Sequence, residues 1–254
     1  MIGATNTRVN AHTPISSARL TLAILPDMRH QARQAVVDLV IVGAGGFGRE
    51  VLDVVEAMNS EHRVLNVLGY LDDDLKRDLV LVRGRGLDLL GPISLLKEID
   101  AEYVIGIGCS EVRRRIDDFA TKIGRQPATL VHPSATFGAD VHLGRGSIIC
   151  SHVSVTTNVR LGRHVQLHVN CTIGHDVVAG DYVTVLPGAT VGGAVTLEEG
   201  ATVGTNAAII QGVSVGRMAT IGAGAAVIRS VPEGLAFGGV PARNLSRGDM
   251  PASQ

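Results

Sequence analysis

From Phe137 to Val227 an apolar residue falls at every sixth position, through Leu143, Ile149, Val155, Leu161, Leu167, Ile173 and onward without a skipped step. Four residues after each comes a second row, from Val141, Ser147, Val153 and Val159 to Cys171, Ala201 and Ala225, all small or β-branched. The residue after the first row is often glycine, as at Gly138, Gly144, Gly174, Gly192 and Gly216. A helix repeats near 3.6 residues and a strand near 2, so neither alone produces this beat. A hexapeptide period belongs to a β-helical solenoid. Each hexad is then a short strand and a turn, with the large and small residues pointing inward and stacking on the same rows of neighbouring coils. Three hexads make a triangular coil, so the run amounts to about five coils. A sandwich of unrelated strands needs loops of varying length, and any insertion would break the phase. The glycines suit turns that need positive φ or close backbone approach.

Composition agrees with a narrow prism. The chain of 254 residues has no tryptophan, 3% aromatic residues and 31 glycines. Bulky rings do not fit so thin a core. Formal net charge is −1, which gives no electrostatic case for nucleic acid or an acidic membrane surface. Cys109, Cys150 and Cys171 are far apart with no CxxC spacing and read as reduced, mostly buried thiols of a cytoplasmic protein. No metal site and no membrane span are expected. Residues 1–36 lack the basic-then-apolar order of a signal peptide and are expected to be a poorly ordered extension, with a partner-docking arm as the alternative.

Residues 37–130 form a separate unit. Asp38–Val42 is a strand-like apolar run, Gly43-Ala-Gly-Gly-Phe-Gly48 follows, and Arg49 to Met58 has helical spacing. Strand, glycine loop and helix open a nucleotide-binding βαβ unit, in which phosphate approaches amides at the helix N-terminus. The loop is GxGGxG, an imperfect dinucleotide fingerprint, and such a loop can also simply link strand to helix. Val64–Tyr70 reads as a second strand ending in Leu71-Asp72-Asp73-Asp74, whose carboxylates either accept from a ribose or base or form a solvated acidic turn. Tyr103–Gly108 reads as a third strand and Glu111–Ala120 as a helix carrying Arg113, Arg114 and Arg115. The unit is short for two mononucleotide halves, which favours a single nucleotide diphosphate over NAD.

Of nine histidines, five lie between His142 and His175. Phase places His142, His152 and His164 outward, as solvated surface, and His168 at a turn. His152 and His164 therefore serve as controls for any histidine chemistry. His175 stands in Gly174-His175-Asp176. Imidazole titrates near neutrality and is the natural general base. A carboxylate can hold its tautomer, provided the chain bends so that adjacent residues face the same way. A decorative turn is the alternative.

Together these parts resemble the family of sialic acid O-acetyltransferases and bacillosamine N-acetyltransferases, sugar acyltransferases in which a small Rossmann-like domain precedes a left-handed β-helix. The resemblance covers about Val37 to Leu245. Its carriers are Val42–Glu50, Gly69–Asp74, Ile107–Arg113, His132–Ala135, Asn170–Asp176, Gly180–Val183, Pro187–Ala189 and Gly238–Arg243. It implies an α/β Rossmann-like domain over 37–130, an all-β left-handed parallel β-helix over 131–245 and a tail over 246–254. It implies that His175 is the base and Asp176 its acidic partner. Asn170 matches an asparagine near the acceptor, or is a stacked structural asparagine. Gly43, Gly45, Gly46, Gly48, Asp72 and Asp73 match the nucleotide-sugar pocket. Gly193, Gly204 and Gly222 match places lining the coenzyme A groove. Thr184 stands where some members carry a second histidine near the thioester; a hydroxyl can donate a hydrogen bond there but is no base. The family is trimeric, with sites between prisms.

The expected activity is acetyl transfer from acetyl-CoA to an amino group of a nucleotide-activated amino sugar in surface glycan synthesis. O-acetylation of sialic acid or another sugar hydroxyl is the alternative. A catalytically silent β-helix scaffold that binds nucleotide sugars is a third reading, raised by Thr184. A homotrimer is expected, its faces left apolar by Val169, Val178 and Ala194.

Overall fold

A computed structural model describes residues 36–61, 65–76 and 79–245. The expected N-terminal extension (Val36 apart) and the C-terminal tail lie outside the described residues.

The first unit is a four-stranded parallel sheet. β1 (Val37–Val42) pairs with β2 (Leu65–Leu71) on one side and β4 (Glu102–Ile105) on the other, and β3 (Leu89–Gly91) lies at the edge beyond β2. Leu39 to Val42 are fully buried, as a central strand covered on both faces requires. α1 (Gly46–Glu61) follows the glycine loop at once, the short α2 (Val80–Arg83) precedes β3, and α3 (Ser110–Lys122) follows β4. The third strand is one residue earlier at its start than the sequence reading and stops at Ile105; Gly106 N still donates to Val42 O at 2.8 Å, and the chain enters α3 at Ser110. β3 and the short 3₁₀ turn Ile93–Lys97 were not anticipated. Three residues carry no readable alternation; the strand forms because Leu89 pairs with Tyr70.

From Leu130 onward the chain coils around three faces, whose sheets hold eight, six and five strands. The shortest face gives five complete coils, as the period predicts. Up to Ala226–Val227 each strand pairs with those 18 residues away, so that Thr172 stands between Ser154 and Thr190, whereas Ala236–Gly238 pairs 16 residues away with Thr220–Ile221 and antiparallel with Arg243–Asn244. We call the face containing Gln166–Leu167 and Thr184–Val185 the first, that of Thr172–Ile173 the second and that of Arg160–Leu161 and Val178–Ala179 the third. Both inward rows join one continuous core. Ser147, the hydroxyl in that core, donates to Gly162 O at 3.1 Å and accepts from Val165 N at 3.2 Å, which removes the cost of burying it.

The turns work differently from one part of the sequence reading. Positive φ falls three residues after the aliphatic row, at Asp140, His152, Asn158, His164, Asn170 and Asp176 among others. These residue types enter the left-handed region most readily. Glycines directly after the aliphatic row serve close approach instead. A Cβ on Gly174 would lie 2.6 Å from Gly193 N of the next coil.

The first unit sits on the first face. Leu130, Ile148 and Cys150, all outward from the prism, share one core with Val51, Leu52 and Val55 of α1. Val169 also packs against that core, so it is not part of a free apolar face; Val178, 48% exposed, and Ala194 are exposed.

Candidate active site

His175 lies on the edge between the second and third faces, in the turn after Thr172–Ile173. Asp176 takes φ of 60°, and this left-handed bend is what lets neighbouring side chains face each other. His175 Nδ1 lies 2.7 Å from Asp176 Oδ2. The other carboxylate oxygen accepts from Asn158 Nδ2 at 3.1 Å. Hydrogen bonds from His175 and then Asn158 hold the Asp176 carboxyl below its usual range. A carboxylate on Nδ1 favours the tautomer with the proton there and leaves Nε2 as an acceptor. Nε2 lies over Gly193 of the next coil, where a Cβ would fall 2.5 Å from Cε1 and closer still to Nε2. Glycine at 193 therefore keeps Nε2 uncovered. Both side chains are about half exposed. Asn158 was missed in the sequence, although it stands one 18-residue coil before Asp176, which the period marks as a stacked pair.

The other histidines correct the sequence reading. His164 is not solvated surface: it is 1% exposed and sits in a turn with φ of 51°. Its ring stacks between Tyr103 and Tyr182, with centroids 6.0 and 5.9 Å away, and its Nε2 is 3.1 Å from Asp117 Oδ1. It cannot act as a neutral control. His168 is buried against Phe47 of the glycine loop, centroids 4.3 Å apart, and burial followed by the charge of Arg113 lowers its pKa to about 4. His152 is exposed as expected, but it occupies a turn with φ of 57°. Cys150 and Cys171 are buried, and burial pushes both thiols up to about 12.

In the first unit, Gly43 (φ 102°) and Gly48 close the loop on themselves. A Cβ on Gly43 would lie 2.6 Å from Ile107, and one on Gly48 would overlap the Gly43 carbonyl. Gly45 O accepts the first turn of α1 from Arg49 N, and Gly46 opens that helix with clear space around it. An anion placed there meets the helix N-terminus. Asp72 holds the loop in shape: its Oδ2 accepts from Ala44 N at 2.9 Å and its Oδ1 from Asp74 N. Asp73 Oδ1 accepts from Ile93 N at 2.9 Å. Both carboxylates thus serve the local backbone, and Asp73 lies exposed beside the loop.

Thr184 does not lie on an open surface of this chain. It is 1% exposed on the first face, under the first unit, and its Oγ1 accepts from Arg113 Nη2 at 2.8 Å. Arg113, fully buried, also donates to Gln166 Oε1, Tyr182 O, Ile107 O and Gly108 O. Burial lowers its pKa to about 10, which leaves it charged. Asn170, Gly204 and Gly222 line the edge between the first and second faces, with the strand Thr172–Ile173 between Asn170 and His175. Gly193 alone of the three groove glycines shares the edge of His175. Within one chain these residues form two clusters on different edges.

The family described as the PglD N-terminal domain matches residues 38–118. GDP-perosamine N-acetyltransferase of Escherichia coli O157:H7 is 33% identical over 126 residues, which take in 48% of this chain and 55% of that protein's length. The acetyltransferase domain of PglB from Neisseria gonorrhoeae FA1090, solved with acetyl coenzyme A, has 27% identity and a TM-score of 0.74, covering 83% of this chain and all of that one. A histidine-to-asparagine mutant of perosamine N-acetyltransferase from Caulobacter crescentus, solved with CoA and GDP-perosamine, has 26% identity and a TM-score of 0.76 and covers 85% of this chain and all of that one. The glycine-loop domain and the coil of hexads thus occur together in these acetyltransferases, and this chain shares the fold of the sugar acyltransferases that join a Rossmann-like domain to a left-handed β-helix.

Proposed function

We propose that this protein transfers the acetyl group of acetyl-CoA to an amino group of a nucleotide-activated amino sugar, a step toward a surface glycan. The observation that carries this reading is the His175–Asp176 pair, 2.7 Å apart, with Nε2 held open over Gly193. Two of the similar proteins named above are N-acetyltransferases, one of them solved with CoA and GDP-perosamine, and the PglB acetyltransferase domain was solved with acetyl coenzyme A, which supports both substrates.

The neutral amine attacks the thioester carbonyl carbon. His175 Nε2 takes the proton that the nitrogen sheds as the N–C bond forms. The C–S bond then breaks, and the imidazolium returns that proton to the departing coenzyme A thiolate. Asp176 stabilises the transient imidazolium. The glycine loop, with Gly43, Gly45, Gly46 and Gly48, receives the diphosphate at the α1 N-terminus.

The acceptor domain covers the first face, while His175 stands on the edge opposite that face. One chain therefore cannot bring its own glycine loop to its own histidine. A neighbouring prism can, and this supports a homotrimer with sites shared between chains. Its contact surface would be the second face, whose outward row is Thr136, Ser154, Thr172, Thr190, Ala208 and Ala226, all small and uncharged. Asn170, Gly204 and Gly222 of one chain then lie toward His175 and Gly193 of the next. No helix of the described residues is long and apolar enough to cross a membrane. Free cysteines and the need for acetyl-CoA support a cytoplasmic location.

Thiol release from acetyl-CoA, measured over amino and hydroxy sugars with and without a nucleotide, tests the activity. Turnover is expected with nucleotide-linked amino sugars. Turnover with free hydroxy sugars alone overturns the proposal in favour of O-acetylation. Nucleotide-sugar binding with no acetyl-CoA binding overturns it in favour of a silent scaffold.

A further inference from the structure

We propose that Asn158 is a positioning residue for the acyl transfer, acting on His175 through Asp176 from the preceding coil. The inference rests on the reading of His175 as the base. Asp176 has two carboxylate oxygens and both are assigned: Oδ2 to His175 Nδ1 at 2.7 Å and Oδ1 to Asn158 Nδ2 at 3.1 Å. The edge is open, with Asp176 53% exposed, so nothing but these partners stops the carboxylate from turning. A turned carboxylate releases the imidazole, whose orientation sets where Nε2 points.

Asn158 is itself fixed. Its φ is 59°, its N–H donates to Ala139 O at 2.9 Å, and its Oδ1 faces the Thr157 hydroxyl at 3.5 Å. That hydroxyl donates to Ala139 O at 2.9 Å, and Asp176 N donates to Thr157 O at 3.0 Å. The chain of contacts therefore runs from the backbone of one coil, through a neutral amide, to the carboxylate and ring of the next. A neutral donor suits the task. It orients Asp176 without competing for the charge that the imidazolium needs.

The charged surroundings are simple. The preceding coil presents Thr157 and Asn158 to this turn, and the following coil presents Gly193 and Ala194, all uncharged. Asp140, one coil before Asn158 on the same edge, is held by Arg160 Nη2 at 2.8 Å and His142 Nε2 at 3.0 Å.

The test compares the parent with Asn158→Gly, Asn158→Asp and His175→Ala. Glycine accepts positive φ without strain and removes only the amide. Aspartate keeps the shape and tolerates the turn but sets a second carboxylate against Asp176. Asn158→Gly is expected to lower kcat about tenfold through misorientation of the ring, with the KM for acetyl-CoA and the melting temperature close to those of the parent. Asn158→Asp is expected to move the rising limb of the pH–rate profile to higher pH by roughly half a unit or more, since added negative charge favours the imidazolium. A residue that only supports the coil would change the melting temperature and leave this limb in place. Parental kcat in Asn158→Gly together with a parental pH profile in Asn158→Asp overturns the inference while the base assignment stands. Parental kcat in His175→Ala overturns both.

Discussion

His175 is an ordinary half-exposed histidine until its neighbours are counted. Asp176 holds one nitrogen, and Gly193 leaves the other uncovered. General-base catalysis contributes about 10²–10⁴-fold, so His175→Ala should lower kcat by that range and leave the KM for acetyl-CoA nearly unchanged in steady-state kinetics. Asp176→Asn should cost less, because an amide still orients the ring but stabilises the imidazolium poorly. His152→Asn, exposed and in the same left-handed conformation, replaces the buried His164 as the control and should retain parental rates. Gly193→Ala would put a methyl group against the imidazole. The ring is the softer partner and must swing aside, so kcat should fall by about 10²-fold, as for a misplacement near 1 Å, with the melting temperature little altered. A parental rate in this variant would show that the ring does not work from over Gly193.

Among the elements, α3 is the strut between the two units. Asp117 on its buried side accepts from Tyr103 OH at 2.8 Å, Tyr182 OH at 2.7 Å and Arg163 Nη2 at 2.7 Å, beside His164. Burial alone would raise its pKa; the donors from His164, Arg163 and Tyr182 outweigh burial and hold the carboxyl well below the usual range. A carboxylate depressed in the folded state contributes stability that is fully present above its unfolded value of about 4 and is lost as pH falls from there toward the folded value. Urea midpoints of the parent should therefore drop between pH 7 and pH 3 more steeply than those of Asp117→Asn. Equal slopes would remove Asp117 from the acid response. Arg113, on the same helix, reaches five acceptors without a carboxylate among them. Arg113→Met strands buried oxygens of Gln166, Thr184 and the backbone, and should cost about 3 kcal/mol or more in chemical denaturation. Arg113→Lys should fall between, since an ammonium cannot reproduce the planar fork.

At the scale of the whole molecule, the glycine loop and His175 lie on opposite sides of one prism, so the proposed function requires assembly to bring them together. Light scattering at micromolar concentration should give the mass of three chains; a monomer mass would leave the site divided. Mixing offers a sharper test. Gly46→Glu, at a position with open space, sets a carboxylate at the proposed diphosphate site, and His175→Ala removes the proposed base. Each alone should be inactive, yet co-expressed chains should recover about a quarter of the parental rate if a site takes its loop and its histidine from different subunits of a closed ring. The hexad period was enough to read the β-helix, its two core rows and its five coils, because inward and outward alternate locally and every coil repeats the pattern. The strand–glycine–helix opening and the His175–Asp176 turn were legible for the same reason: their chemistry lies in adjacent residues. What covers an outward residue was not legible. His164, His168, Val169 and Thr184 point away from the prism core and so share the outward phase of residues that meet water, and each is covered or partly covered because the first unit docks on that face. Asp117 and Arg113 find their partners on the β-helix across 46 to 71 residues of chain. No local period carries that information. Only the packing of one unit on the other decides it, since burial is a property of the surface that a residue meets and not of its place in a repeat.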